Sequence, residues 1–143
     1  MSDLKNNLYL VLDLLRDDVQ EVMSKPPSSY WGDTLYGPLT KRDRLHCADG
    51  FSVSVQMSYF NYCNPREALT RSDQYTEAEL GYPSQEEPLI TEYAEDRQDL
   101  SRTVYGYVPM QVVEQVFQKH GGLHPAEVIR LTKLQKQLQK EQV

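Results

Sequence analysis

Gly50-Phe51-Ser52-Val53-Ser54-Val55-Gln56-Met57-Ser58-Tyr59 decides the fold. Phe51, Val53, Val55, Met57 and Tyr59 alternate with Ser52, Ser54, Gln56 and Ser58, a period of two that predicts a half-buried strand. The apolar face needs a cover, whereas the face of hydroxyls and an amide can meet water or a partner. Ala48-Asp49-Gly50 is a turn signal leading in, and the strand is expected to run through Phe60, as far as Tyr62 at most, before Asn64-Pro65-Arg66 breaks it.

Two further strands are expected. Gln74 to Tyr82 places Tyr75, Glu77 and Glu79 on one side and Thr76, Ala78 and Leu80 on the other, with Pro83 as the stop. A connection of about a dozen residues makes an antiparallel pair the natural arrangement. Thr103 to Val108 is rich in β-branched and aromatic residues, and Gly106 in its middle marks a bulge or a close backbone approach. Pro88 to Ala94 fits an edge strand or a short helix equally well.

The cover comes from the two ends of the chain. Between Ser2 and Ser24, Leu4, Leu8, Val11, Leu12, Leu15, Val19, Val22 and Met23 recur at three and four, the stripe of one long amphipathic helix. Leu10 and Leu14 widen its apolar arc, and Lys25-Pro26-Pro27 ends it. Pro109 opens a helix with Val112, Val113, Val116 and Phe117 on one face, closed by Gly121-Gly122. A last helix from His124-Pro125 carries only Val128, Leu131, Leu134 and Leu138 on a Lys/Gln/Glu background, a narrow seam that suits pairing with another helix. The expected architecture is α+β: an antiparallel sheet of three to five strands packed by an N-terminal helix and C-terminal helices. Residues 1–122 form the domain and 123–143 a polar helical extension, which together with the first helix offers a seam for a homodimer.

The totals bound the function. A chain of 143 residues is one domain by length and can bury roughly two-thirds of its unfolded surface. Mean hydropathy is −0.63, so much of the chain is solvated loop. A net charge of −6 argues against direct nucleic-acid binding, which needs a basic footprint, and suits a basic partner. No apolar run approaches the roughly 20 residues of a membrane span. Cys47 and Cys63 lack the companions of a zinc site, and reduced thiols in a bacterial cytoplasm are expected. No phosphate loop or nucleophile elbow is present, so no catalytic residue, metal or cofactor is assigned. An enzyme would have to be built on Cys63 or His120.

Ten tyrosines stand out in the composition, and tyrosine gives contact area at low entropic expense. The irregular stretch from Ser28 to Asp49 holds Tyr30, Trp31 and Tyr36, is expected to pack over the sheet with a short strand at Leu35-Tyr36, and ends in the basic cluster Lys41-Arg42-Asp43-Arg44. Candidate partner- or ligand-binding residues are Tyr30, Trp31, Tyr36, Arg42, Arg44, Arg66, Tyr75, Glu77 and Glu79. Trp31, Arg42, Arg44 and Arg66 also have the chemistry to hold a nucleotide signal, which would make the protein a sequestering agent.

Asp49-Gly50-Phe51-Ser52-Val53-Ser54-Val55-Gln56, Tyr62-Cys63-Asn64-Pro65-Arg66, Glu79-Leu80-Gly81-Tyr82-Pro83-Ser84 and Val104-Tyr105-Gly106-Tyr107-Val108-Pro109 through His120-Gly121-Gly122 together resemble small proteins encoded by bacteriophages and prophages. The resemblance spans about Cys47 to Gly122. It implies an accessory protein acting in the host bacterial cytoplasm by binding and blocking a defence component, as anti-CRISPR proteins do. A virion assembly factor is the other role the resemblance accommodates. It transfers no catalytic residue.

Overall fold

The computed structural model describes residues 4–20 and 41–141, with the backbone of two short strands at 33–34 and 37–38. After a 3₁₀ turn at Leu4–Asn6 come α1 (Leu8–Leu14) and α2 (Asp17–Gln20). The hairpin β1 (Asp33–Thr34) and β2 (Gly37–Pro38) follows, then β3 (Leu45–His46), β4 (Ser52–Gln56), β5 (Glu77–Gly81) and β6 (Val104–Pro109). The chain ends with α3 (Met110–Lys119) and α4 (Pro125–Glu141). Strands β3 to β6 form one antiparallel sheet in sequence order. The fold is the α+β sheet-and-helix arrangement that the sequence predicts.

The alternation in β4 has the expected consequence: Phe51, Val53, Val55 and Met57 are buried. They join Ala78 and Leu80 of β5, Tyr105 and Val108 of β6 and the apolar faces of α1, α3 and α4 in one core. The strand is shorter than its pattern. Ser58 Oγ accepts from the Phe60 amide at 3.1 Å and donates to Asn61 Oδ1 at 2.6 Å, so the hydroxyl builds a local turn that competes with the ladder. Tyr59 consequently turns outward.

The N-terminal helix is corrected as well. It breaks at Leu15–Arg16, because residues 41–43 pair with it: Asp17 N donates to Lys41 O at 2.8 Å and Asp43 N to Leu15 O at 2.9 Å. A non-local ladder outcompetes helical continuity there, and no proline or glycine signals it. Leu14 is buried, as its place on the widened arc foretells. The ambiguous segment is a 3₁₀ helix, Pro88–Tyr93, begun by Glu87 accepting from Leu89 N. Leu131 and Leu134 of α4 are buried in the same core, against α1 and the turn before it. The short strand foreseen at 35–36 lies outside the described residues.

Gly106 behaves as its position suggests. Ala78 faces Val108 while Leu80 faces Tyr105, so Glu79 stands opposite two residues and β6 bulges at Gly106–Tyr107. Tyr107 takes φ +55°. A Cβ on Gly106 would lie 3.2 Å from Tyr62 Cβ, which fixes how closely the loop after β4 approaches β6.

Candidate functional site

Three places gather chemistry. The first is an open cleft of about 660 Å³ on the polar face of the sheet, lined by Asp17, Lys41 to Arg44, Ser54, Gln56, Glu79 to Tyr82 and Val104. It brings together Arg42, Arg44 and Glu79 of the sequence candidates. Both arginines are committed to structure. Arg42 is buried, with Nε donating to Leu12 O at 3.0 Å and Nη1 to Met57 O at 3.4 Å. Its backbone exchanges bonds with the Gln56 amide at 2.8 and 2.7 Å. Burial and the neighbouring Arg16 pull the Arg42 pKa down, against the pull of Asp13. Arg44 donates to Ser52 Oγ, Ser52 O and Tyr82 O. Asp17, Asp43 and Glu79 on the same rim oppose an anionic ligand. Arg42 and Arg44 thus converge on this cleft, but Nε and Nη1 of Arg42 and Nε and Nη2 of Arg44 point to protein acceptors.

The second is a polar knot around two buried side chains, His120 and Glu87, which Asp49 and Lys119 join from the surface. His120 caps the end of α3, where Gly121 and Gly122 take φ +88° and +78°. Its Nδ1 lies 2.6 Å from Asp49 Oδ2 and its Nε2 2.6 Å from Glu87 Oε1. The ring stacks on Phe51 at 4.0 Å and 10°. Lys119 Nζ donates to the second Glu87 oxygen at 2.8 Å. Burial raises the Glu87 pKa, but Lys119, the Leu89 amide and His120 more than offset it, leaving the carboxyl below its ordinary range. Asp49 is likewise low, with burial outweighed by the Phe51 amide and His120. Both ring nitrogens are occupied, so the imidazole has no site from which to act on a substrate. The two thiols are equally withdrawn. Burial pushes Cys47 up to about 12, and Cys63, also raised by burial, donates to Ser58 O at 3.3 Å and lies 3.4 Å from Pro65 O. A thiolate nucleophile needs the opposite environment.

The third is an aromatic surface. Tyr59 and Phe60 meet edge to face at 5.3 Å, and Tyr62 and Tyr107 tilt together at 6.0 Å and 33°. Arg66 joins the pairs: its Nε donates to Tyr59 O at 3.0 Å and its guanidinium lies 5.6 Å over the Tyr62 ring. All four rings are exposed, from 38% for Tyr59 to 53% for Phe60. A bulky residue in left-handed backbone is uncommon, and Tyr107 holds that conformation with its ring outside. The bond from Tyr107 N to Tyr62 O at 2.9 Å ties the two ring-bearing segments together. Tyr62, Tyr93, Glu95, Gly106 and Tyr107 line a shallow depression of about 260 Å³ there.

Of the sequence candidates, Arg66 belongs to this surface. Tyr75 does not: it precedes β5, where a 3₁₀ turn at Ser72–Gln74 breaks the two-residue period, and is buried. Its hydroxyl donates to Glu67 O and accepts from Leu69 N at 2.8 Å. Glu77 is half-buried beside Asn64. Glu79 accepts from Asn61 Nδ2 and Tyr62 N at 3.1 and 3.0 Å, and so braces the loop that carries Tyr62. Tyr30, Trp31 and Tyr36 lie outside the described residues. Tyr59, Phe60, Tyr62 and Tyr107 were not among the candidates. Tyr59 and Phe60 read as strand, and only Gly106 hinted at a special geometry near Tyr62. Compared with protein-family models, curated proteins and solved structures, the chain matches none.

Proposed function

We propose that this protein acts by binding a basic protein partner through the aromatic surface around Tyr62 and Tyr107, without catalysis of its own. One observation carries the reading: four exposed aromatic rings sit together on a braced loop and a bulge. By contrast, His120 and both cysteines are spent on internal bonds or burial. Aromatic rings supply interface energy in excess of their number, and the acidic balance of the chain favours and steers a basic partner. The resemblance to phage-encoded proteins makes a component of bacterial antiviral defence the partner class, and inhibition of it the outcome.

The test is phage plating on strains that carry single defence systems. Expression of the parent chain should restore plaque formation on at least one, and the double variant Tyr62→Ala/Tyr107→Ala should lose that effect at equal protein level. Restoration that survives the double variant would move the docking face elsewhere.

A further inference from the structure

The depression inside the aromatic surface has a composition of its own. Three tyrosines, Tyr62, Tyr93 and Tyr107, line it together with Gly106, and Glu95 supplies a carboxylate. Tyrosine rings present negative faces. A carboxylate adds full negative charge, and Glu95 is held beside the rings by its backbone amide, which donates to Val104 O at 2.9 Å. Tyr62 already holds one cation, the Arg66 guanidinium. Rings and carboxylate together select a positively charged occupant.

Hydrogen-bond accounting narrows the choice. A bare ammonium brings three donors and a guanidinium five. The wall offers one carboxylate and the phenol oxygens of three tyrosines and is otherwise mostly apolar, so a partner surface closing over either group would strand some of its donors without acceptors. A trimethylammonium group has no donor to strand, is weakly hydrated, and is attracted to ring faces. Resting on the docking reading above, we infer that this depression receives a trimethylated lysine side chain of the partner protein, with Tyr62, Tyr93 and Tyr107 contacting the methyl groups and Glu95 balancing the charge. The shallow, open form suits a head delivered on a side-chain stem from a facing surface.

Amide chemical shifts of the labelled full-length protein provide the readout. The probes are N-acetyl-trimethyllysine amide, N-acetyl-lysine amide, a neutral analogue bearing a tert-butyl group in place of the trimethylammonium, and choline. The trimethyllysine probe should bind in a roughly millimolar range and at least about tenfold tighter than the lysine or neutral probes, as expected of a cation on aromatic faces. Shifts should centre on Tyr62, Tyr93, Gly106 and Tyr107. Glu95→Gln, a surface change with an unaltered urea midpoint, should weaken binding several-fold, and Tyr107→Ala should abolish it. Equal binding of the neutral probe would reduce the site to a greasy dent and overturn the inference. Choline binding as tightly as the trimethyllysine probe would overturn the protein-borne source. No shifts with any probe, while Tyr62→Ala/Tyr107→Ala still loses defence inhibition, would sink this inference and leave the docking reading standing.

Discussion

The knot around His120 and the surface around Tyr62 use opposite economies. At the knot, every reactive-looking group is matched: two carboxylates on two ring nitrogens, a lysine on the spare oxygen, Phe51 stacked on the ring. At the surface, rings that could have been buried stay out, and a tyrosine sits in left-handed backbone. Residue type alone would assign function to the histidine and structure to the tyrosines. On the docking proposal, partnering reverses this: saturated polar groups stabilise, and exposed apolar area is what remains to bind.

The comparison breaks most readily at the glycine beside the knot. A Cβ on Gly122, at φ +78°, would fall 2.3 Å from Lys5 O, the acceptor of the Leu123 amide. Because backbone cannot swing aside, Gly122→Ala should destabilise by about 3–5 kcal/mol, read as a loss in urea-unfolding free energy. His120→Ala comes next. It leaves buried Glu87 with only Lys119 and the Leu89 amide, both on one oxygen, and removes the Phe51 stack, and should lower stability by about 2–4 kcal/mol. A smaller loss would mean that water or Lys119 replaces the ring.

The same knot predicts an acid limb. Asp49 and Glu87 are depressed in the fold, from ordinary values of 3.8 and 4.5. A depressed carboxyl supplies stability above its unfolded pKa and loses it as pH falls through the folded one. The urea midpoint should therefore drop on acidification below about pH 4.5, and the drop should be shallower in Glu87→Gln. An identical slope in that variant would place the acid sensitivity elsewhere.

The surface should respond in function and hardly in stability. Relief of left-handed backbone in Tyr107→Gly offsets the added freedom of its unfolded chain, so stability should stay within about 1 kcal/mol of the parent. Defence inhibition should nevertheless fall, since the ring is gone. A large loss of stability would show that Tyr107 belongs to the structure, as His120 does, and would erase the contrast between the regions.

Legibility followed locality. Phe51 to Met57, Ala78 and Leu80, Pro109 to Gly122 and the bulge at Gly106 could be read because their signals are period, turn chemistry and glycine. The break after Leu15 could not, since its cause lies at Lys41 and Asp43. Tyr59 misled because alternation continues through a strand that Ser58 has already ended. Among the site candidates, Arg66 could be found from its aromatic neighbourhood in sequence. Arg42 and Tyr75 resembled surface residues, and only packing made them internal struts.

By itself, the order of residues determined an antiparallel sheet with one greasy face, the helices that shelter it, and an acidic, tyrosine-rich exterior. Solvent exclusion acts on these at a range of two to four residues, so the pattern is written locally. Which polar groups pair and which rings stay wet was decided only in three dimensions. Asp49, Glu87 and His120 meet across 33 to 71 positions, and Tyr62 and Tyr107 across the bulge, because those contacts depend on how finished elements dock.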